Sequence, residues 1–439
     1  MSFFQFIRTD ESTQDSFFIW SFALFLALSC VIIHQGEIRV SQRDTNEMYT
    51  YQLSLSDGVL IPDEKEGQEL VNTVTDTAVL PNLNAKYALL MDATNRRVLF
   101  EKSGYEQAPM ASTTKIMTLL VTLENANLDD IVTVSAYAAS MPDVQLNIRK
   151  DEQYRLGDLV YSLMLESHND TAVAIAEHVG GSVEGFAAMM NEKAQELGAY
   201  NTNFVTPNGL DAENHYTTAY DLALISSYAI QNETFLQIVQ TPSYSFHEQT
   251  TGRAFTVNNK DRFLTSYEGA IGIKTGFTGN AGYCFVGAVD REGKRLVSVV
   301  LACGWPPHKT YKWKDTAGLM NYGISQYNLK EILPTGITFQ QIPVADSIEG
   351  GSITPYNQEA VALLLREDEK VNFNVKLPVA LSAPVEQGQT IGEVTITIND
   401  EVYKIVPLYS MEKRTKITYE YILKRILLKF FGGYSLADG

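Results

Sequence analysis

Cysteine and histidine are scarce in this sequence, which has three cysteines and six histidines among 439 residues. The histidines are scattered, and no group of cysteines and histidines has the spacing of a metal site, so we expect no metal and no cofactor. Positively charged residues are also few, since the sequence has 34 Lys and Arg and 52 Asp and Glu, which gives a net charge of −18. A surface of this sign repels phosphates, and we therefore expect no nucleic-acid partner.

The few cysteines leave two structural alternatives open. Cys284 and Cys303 lie in strand-like runs, where buried thiols act as small hydrophobic side chains. A disulfide between them is the other alternative, and the sequence does not decide. Cys30 lies in the apolar N-terminal segment.

Long runs of apolar residues without a charge are rare in this sequence, and one such run lies near the N-terminus. Residues 17–33 form an apolar run of roughly 17 residues, close to the minimum for a membrane span. We therefore predict that residues 1–40 are an export signal, either a cleaved signal peptide with a site near residues 27–29 or an N-terminal membrane anchor. Residues 41–84 are polar and acidic without periodicity, which predicts a linker with loose local structure.

Residues 85–330 carry the periodic patterns of a globular domain. Two strand-like runs around a turn predict a hairpin at residues 85–92 and 97–101, and apolar strands are predicted at residues 283–289 and 295–302. Apolar residues at helical spacing predict helices over residues 156–166, 170–179, 183–197 and 316–327. The mixture indicates an α/β (α+β) domain.

Ser112 and Lys115 stand three residues apart at the head of an apolar helix that follows Pro109. Residues three apart share one helix face, so the serine hydroxyl can lie beside the lysine amine. Serine is a poor nucleophile until a base takes its proton, and burial makes lysine a base by lowering its pKa. The pair alone is a weak signal, because Ser-x-x-Lys is frequent by chance.

Two further short motifs follow in the chain. Ser167 and Asn169 lie in a tight turn between two predicted helices, where they either point into a cleft or cap the next helix. Lys274, Thr275 and Gly276 lie in a strand-like stretch, and glycine in a strand often marks close approach of a ligand or another backbone. A cation beside a hydroxyl suits a carboxylate partner.

The order of the three motifs resembles that of penicillin-binding proteins and serine β-lactamases. Residues 206–210 (Thr-Pro-Asn-Gly-Leu) and 218–223 (Thr-Ala-Tyr-Asp-Leu-Ala) are similar to the low-molecular-mass D-alanyl-D-alanine carboxypeptidases, peptidase family S11. The resemblance implies their catalytic domain, with an antiparallel sheet and a helical subdomain. A departure is His168, where many relatives carry glycine, and it bears on specificity rather than on the reaction.

The resemblance also implies catalytic roles. Ser112 would attack the carbonyl carbon between two D-alanines, and Lys115 would take the serine proton. Ser167 and Asn169 would position the substrate and relay the proton to the departing D-alanine. Water would then hydrolyse the acyl-enzyme and free Ser112. The overall reaction would trim the stem pentapeptides of peptidoglycan in the cell wall.

Substrate binding is implied for the third motif and the residue after it. Lys274 and Thr275, with Gly276 beside them, would bind the terminal carboxylate. The backbone N–H groups of Ser112 and Phe277 would form the oxyanion hole. Penicillin and other β-lactams would acylate the same serine and act as covalent inhibitors.

Other functions of the same fold make different demands on the sequence. A class A β-lactamase adds a glutamate after the second motif, and residues 201–210 contain no carboxylate. A non-catalytic binding protein is expected to lose one of the motif residues, and none is missing. A transpeptidase or endopeptidase stays open. Residues 167–169 and 305–310 weakly resemble the sporulation-associated branch of the family.

The C-terminal part of the sequence changes pattern. Short strands at residues 360–365, 371–375, 392–398 and 402–406 predict a small β-sandwich over residues 331–410, similar to the C-terminal domain of the same carboxypeptidases.

Residues 411–439 are predicted to contain a basic amphipathic helix. One side of the helical wheel is apolar, formed by Tyr419, Ile422, Leu423, Ile426, Leu427 and Phe430. The basic residues Arg414, Lys424, Arg425 and Lys429 flank it. Such a helix suits an anionic membrane surface, and packing on the protein itself is the alternative. We therefore expect an exported protein on the outer face of a bacterial cytoplasmic membrane.

Overall fold

The structure is a computed structural model and describes residues 48–56, 59–62 and 80–431. The predicted export signal lies outside the described residues, as do parts of the predicted linker and of the basic tail. The chain divides into two compact units. The larger unit contains residues 73–330 and 363–368, and the smaller unit contains the other segments.

The strands of both units are mostly short. In chain order they are β1 (Met48–Ser56), β2 (Val59–Pro62), β3 (Tyr87–Asp92), β4 (Arg97–Lys102), β5 (Ile131–Thr133), β6 (Gln153–Arg155), β7 (Ser243–His247), β8 (Ala254–Asn258), β9 (Ala270–Thr278), β10 (Gly282–Arg291), β11 (Lys294–Leu301), β12 (Asn328–Leu333), β13 (Ile342–Ala345), β14 (Ser352–Ile353), β15 (Pro355–Asn357), β16 (Val361–Leu365), β17 (Val371–Pro378), β18 (Leu381–Ser382), β19 (Thr390–Ile398) and β20 (Glu401–Ser410).

The helices lie mainly in the larger unit. They are α1 (Lys115–Asn125), α2 (Leu156–Leu165), α3 (Asn169–Gly180), α4 (Val183–Glu196), α5 (Ala219–Ala229), α6 (Glu233–Gln240), α7 (Phe263–Ser266), α8 (Tyr311–Gln326) and α9 (Tyr419–Phe431). Two 3₁₀ turns, Ala111–Thr114 and Ala138–Ser140, complete the described helical structure.

The larger unit contains a five-stranded antiparallel sheet in the order β4-β3-β11-β10-β9. Alternate residues of β3 enter two apolar clusters, with Leu89 and Met91 in one and Ala88 and Leu90 in the other. Because side chains alternate across a strand, the sheet is covered on both faces. α1 to α6 contribute to the first cluster and α8 to the second. By the strand order, β9 is an edge strand of this sheet.

Most of the predicted elements in this unit are confirmed. The predicted hairpin is β3 and β4, and the helices predicted over residues 156–166, 170–179 and 183–197 are α2, α3 and α4. The helix predicted from residue 316 begins earlier, at Tyr311, because Trp313 in its first turn packs edge-on against Phe285 at 4.5 Å. Cys284 and Cys303 are free and buried, the first of the two alternatives.

The smaller unit contains a six-stranded sheet in the order β15-β20-β19-β17-β1-β2. The strands predicted at residues 371–375, 392–398 and 402–406 are confirmed as β17, β19 and β20, and the predicted fold class, a mixed domain followed by a C-terminal β domain, is confirmed. The predicted loose linker is wrong for residues 48–56, since β1 pairs with β17 from Met48↔Pro378 to Ser54↔Asn372.

The reason for this error is visible in β1. Tyr49, Tyr51 and Leu53 are more buried than Met48 and Thr50, which is the alternation of a half-buried strand. The tyrosine rings of 49 and 51 stack at 5.8 Å between centroids. The acidic residues that follow obscured this short pattern, and its partner strand lies at the other end of the chain.

α9 forms part of the predicted basic tail. Its residues from Tyr419 to Phe430 are all at least partly exposed, and Leu428 and Phe430 are exposed by 62% and 59%. Among the helices that the structure describes, none is long and apolar enough to cross a membrane.

Candidate active site

Ser112 lies in the 3₁₀ turn that leads into α1, and Lys115 is the first residue of α1. Lys115 Nζ donates to Ser112 Oγ over 3.1 Å, as the three-residue spacing predicts. Gly209 packs directly against this turn and leaves no room for a side chain, because a Cβ added there would lie 2.1 Å from the Ala111 carbonyl oxygen.

Lys115 is completely buried and is held by oxygen atoms from two other parts of the chain. Its Nζ donates to Asn169 Oδ1 over 2.9 Å and to the Asn208 carbonyl oxygen over 2.7 Å. These acceptors fix the amine beside the serine hydroxyl. The side chain of Lys115 therefore has little freedom to leave Ser112.

Burial lowers the pKa of Lys115 well below its ordinary value of 10.5. The nearby positive charge of Lys274 lowers this pKa further, and the carboxylate of Asp170 opposes the shift. A lysine in this state can hold a lone pair at neutral pH. It can therefore accept the proton of the Ser112 hydroxyl.

Ser167 and Asn169 lie where α3 begins. Asn169 Nδ2 donates to the carbonyl oxygens of Pro142 and Asp143 over 3.2 and 3.0 Å, while its Oδ1 accepts from Lys115. Ser167 has a positive φ of 70°, and its Oγ is buried without a hydrogen-bond partner in the described part of the chain. The capping alternative is wrong, because residue 168 occupies the N-cap and no side-chain cap bond forms.

Lys274 lies on the edge strand β9 and is only 3% exposed. Burial first, and the charge of Lys312 second, lower the pKa of Lys274 to about 7, although Asp261 acts against this shift. Its Nζ donates to the Thr275 carbonyl oxygen over 3.1 Å. A carboxylate brought to this amine would stabilise its charged form.

Gly276 brings β9 against the serine turn, as the glycine in this strand predicts. A Cβ added to Gly276 would lie 3.0 Å from Ser112 N and 3.1 Å from Ala111 Cβ. The backbone of Gly276 therefore lies directly beside the N–H of Ser112. Backbone N–H donors beside a nucleophile are the elements of an oxyanion hole.

His168 is buried, and its ring contacts Ser162 and Glu166. Its Nδ1 lies 2.7 Å from Ser162 Oγ on α2, and its Nε2 lies 3.5 Å from Glu166 Oε2. Burial lowers the pKa of His168, and Glu166 is held in turn by Lys260 over 3.0 Å. The ring therefore supports the turn that carries Ser167.

Two contributors to the site were not identified from the sequence. The Asn208 carbonyl oxygen accepts from Lys115, and His215 Nε2 lies 3.0 Å from Thr114 Oγ1 in the serine turn. Val205 N donates to His215 Nδ1, and burial lowers the pKa of this histidine to about 4. The neutral ring therefore carries its hydrogen on Nε2, which donates to Thr114 Oγ1. A role for a backbone carbonyl cannot be read from residue type.

A profile of the D-alanyl-D-alanine carboxypeptidase family, peptidase S11, matches residues 73–304. The chain belongs to this family. A second profile, of the penicillin-binding protein 5 C-terminal domain, matches residues 327–416. Curated members of the family include D-alanyl-D-alanine carboxypeptidase DacF of Bacillus subtilis, 29% identical over 78% of this chain and 89% of its own length. DacC of Escherichia coli is 30% identical over 76% of this chain and 86% of its own length.

Solved structures of the family share the fold. Penicillin-binding protein 5 from Haemophilus influenzae is 26% identical, with a TM-score of 0.65 over 76% of this chain and 99% of that chain. The Streptomyces K15 DD-transpeptidase is 33% identical, with a TM-score of 0.53 over 56% of this chain and 99% of that chain. The family thus includes a protein described as a transpeptidase.

Proposed function

We propose that the protein removes the terminal D-alanine from peptides ending in D-Ala-D-Ala, with Ser112 as nucleophile and Lys115 as general base. The contact of 3.1 Å between Ser112 Oγ and a fully buried lysine amine carries this proposal. Family membership gives the reaction type, and the arrangement around Lys115 supports the assignment of the base.

Acylation follows from these contacts. Lys115 accepts the proton from Ser112 Oγ as the oxygen bonds to the carbonyl carbon between the two D-alanines. The C–N bond then breaks, and the proton passes through Ser167 Oγ to the departing amine of D-alanine. Ser167 Oγ has no hydrogen-bond partner among the described residues, which supports this relay, and Asn169 holds Lys115 in place.

Deacylation reverses the same roles. Water attacks the acyl carbonyl carbon and gives one proton to Lys115, which passes it to Ser112 Oγ as the C–O bond breaks, so that the serine leaves as the hydroxyl. In both steps the N–H groups of Ser112 and Phe277 stabilise the oxyanion, and during acylation Lys274 and Thr275 bind the carboxylate of the terminal D-alanine. A buried amine with a pKa of about 7 gains its charge when this carboxylate binds.

The test is D-alanine release from Nα-acetylated peptides ending in D-Ala-D-Ala by the full chain and by Ser112→Ala. We expect release by the full chain, none by the variant, and unchanged release by Ser266→Ala, a matched change at an exposed serine on α7. Release by Ser112→Ala would show that the nucleophile is wrong. A folded wild-type chain that releases no D-alanine would contradict the reaction.

A transpeptidase is the second candidate, because the Streptomyces K15 relative is described as a DD-transpeptidase. It would pass the same acyl group to an amine instead of to water. Adding a D-amino acid acceptor and measuring the exchanged peptide separates the two. We expect mainly free D-alanine and hydrolysed peptide. If D-alanine were released only when the acceptor is present, with the exchanged peptide as the main product, the result would favour the transpeptidase.

The natural substrate that we propose is the stem pentapeptide of peptidoglycan, and β-lactams are the proposed covalent inhibitors. Support comes from the family and from the relatives described as penicillin-binding proteins. A labelled penicillin should attach to the full chain and not to Ser112→Ala. Labelling of both proteins would place the reactive group elsewhere.

We further propose that the protein is exported and that α9 binds the outer face of the cytoplasmic membrane. The exposed apolar residues of α9, with Lys424 and Arg425 exposed beside them, support this proposal. Binding to anionic vesicles should weaken in Lys424→Glu/Arg425→Glu but not in Lys314→Glu on α8. Equal binding of all three proteins to anionic and neutral vesicles would contradict a role for α9.

A further inference from the structure

A surface cleft of about 470 Å³ lies in the larger unit, at the end of α3 opposite Asn169. Its size is in the range of sites that bind small ligands, roughly 300–1,000 Å³. The nine residues from Asn169 to His178 span about 14 Å along the helix, so the cleft lies away from the proposed catalytic residues. We call it the β5–α3 cleft, and the polar and aromatic residues that line it include Thr133, Ser135, Tyr137, Glu177, His178 and Glu184.

One wall of the cleft is formed by β5 and the turn that follows it. Tyr137 lies in this turn and is 56% exposed. The backbone around it is fixed, because Ser135 Oγ accepts from Ala138 N over 2.9 Å, and Ser140 Oγ donates to the Tyr137 carbonyl oxygen over 2.8 Å. Thr133 and Ser135 add hydroxyl groups to the same wall. The wall therefore offers an exposed aromatic ring on a backbone that local hydrogen bonds hold in place.

The second wall is formed where α3 ends and α4 begins. The two helices approach each other closely here, because a Cβ added to Gly180 would lie only 2.4 Å from Phe186 N. Glu177 lies in the last turn of α3, and Glu184 lies in the first turn of α4. The tight connection between the helices thus brings two carboxylates to one cleft.

The two carboxylates are free to accept hydrogen bonds from a ligand. Glu184 is exposed and Glu177 is partly exposed, and in the described part of the chain neither side chain forms a hydrogen bond or an ion pair. His178, which lies between them in the chain, is directed elsewhere, since its Nε2 lies 3.5 Å from Asp130 Oδ2. Ionised carboxylates only accept, so their partners must be donors.

A ligand that suits both walls has a flat apolar face for the tyrosine ring and several donors for the carboxylates. Sugar rings have this combination, because their C–H groups form apolar faces and their hydroxyl groups donate to carboxylates. Their hydroxyl groups can also pair with those of Thr133 and Ser135. A cationic ligand would satisfy the carboxylates and would make no use of these two hydroxyl groups.

We propose that the β5–α3 cleft binds the glycan chain of peptidoglycan, at a site separate from the one that holds the stem peptide. This inference rests on the proposed function, since the stem pentapeptide is attached to this glycan. The sugar rings pack on Tyr137, and their hydroxyl groups donate to Glu177 and Glu184. Binding here holds the enzyme on a polymer that carries many stems, which raises the effective concentration of substrate at Ser112.

Binding is measured without catalysis, by co-sedimentation of the full chain with insoluble peptidoglycan from which the stem peptides have been removed. We expect the wild type to bind, and Tyr137→Ala and Glu177→Gln/Glu184→Gln each to bind about tenfold more weakly. Tyr137→Phe keeps the ring and should restore most of the binding. A soluble tetramer of N-acetylglucosamine should release the bound wild type.

The effect on catalysis is measured with two substrates that carry the same stem, a soluble glycan strand with pentapeptides and the free pentapeptide. We expect kcat/KM per stem for D-alanine release by the wild type to be about tenfold higher on the strand. Tyr137→Ala should bring this ratio close to one and leave release from the free pentapeptide unchanged. A loss of folding would instead lower release from both substrates together.

Matched controls are Tyr200→Ala, at a tyrosine that is 69% exposed, and Glu192→Gln/Glu233→Gln, at two exposed glutamates. The second control changes the net charge as much as the cleft variant does, which separates a local contact from a general effect of charge. Both controls should bind the stripped peptidoglycan and keep the ratio as the wild type does.

Wild-type binding and an unchanged ratio in both cleft variants would overturn this inference and leave the proposed function standing. Loss of binding in Glu177→Gln/Glu184→Gln but not in Tyr137→Ala, with release of the protein by trilysine and not by the sugar tetramer, would overturn it in favour of a cationic ligand. No D-alanine release from the free pentapeptide would instead contradict the proposed function, whatever the binding result.

Discussion

Lys115 and Lys274 are both buried, yet the elements that carry them give them different surroundings. Lys115 begins a helix, and its amine donates to three oxygens, one of which belongs to Ser112. Lys274 lies on an edge strand, and in the described part of the chain its amine donates to one oxygen, that of Thr275. Burial alone therefore does not assign a role. The contacts indicate a base at Lys115 and an anion site at Lys274.

The largest effect is expected from Lys115→Ala. Loss of a general base costs about 10²- to 10⁴-fold in rate, so acylation by a penicillin and D-alanine release should both fall by about 10³-fold. Stopped-flow acylation kinetics and steady-state release measure the two losses. The matched variant Lys314→Ala, at an exposed lysine on α8, should keep wild-type rates. A loss below tenfold in a folded Lys115→Ala protein would contradict the assignment.

Lys274→Gln should have a smaller effect that depends on the substrate. A charge-assisted hydrogen bond contributes roughly 1.5–3 kcal/mol, so kcat/KM for a peptide with a free C-terminal carboxylate should fall about 10- to 100-fold. A substrate whose terminal carboxylate is converted to an amide should lose much less. Equal losses on both substrates would mean that Lys274 does not bind the carboxylate.

Gly276→Ala tests the contact between the two elements. The added methyl group would lie 3.0 Å from Ser112 N, which must displace the serine turn from β9. Since small misplacements of reacting groups are costly, we expect about a tenfold loss of acylation rate. The control Gly318→Ala places its Cβ in open space on α8 and should be neutral. Unchanged acylation in Gly276→Ala would show that the turn adapts freely.

The smallest effect is on stability and depends on pH. The folded pKa of Lys274 is about 7 and its ordinary pKa is 10.5, so the unfolded chain binds more protons between these values. The free energy of unfolding therefore rises as pH increases from 7 to 10.5, because burying Lys274 then costs less. Below pH 7 the cost of burying the charged amine has its full value. Lys274→Met should raise Tm by a few degrees more at pH 6 than at pH 10. A shift of the same size at both pH values would contradict the lowered pKa.

Local patterns in the sequence predicted the elements better than their assembly. The spacing of Ser112 and Lys115 and the glycine at position 276 are local signals, and the structure bears out the geometry expected of each. The other acceptors of Lys115 lie 54 and 93 residues away along the chain, and no local pattern identifies them.

Strand β1 shows the same limit in the smaller unit. Its pairing with β17 joins distant parts of the chain, and the polar residues around it resemble a linker. The alternation of Tyr49, Tyr51 and Leu53 was the available signal. The sign of the Lys115 pKa shift was predictable from its apolar neighbours, whereas the contribution of Lys274 needed the packing of β9 against the serine turn.

The pH dependence of Ser112 acylation by a penicillin reports directly on Lys115, because a base with a strongly lowered pKa stays unprotonated to lower pH. The second-order rate constant of the full chain should fall as pH decreases through the folded pKa of Lys115 and should already be at its plateau well below pH 10.5. A rate constant that keeps rising up to pH 10.5 would mean that the lysine keeps its ordinary pKa. That result would contradict the account.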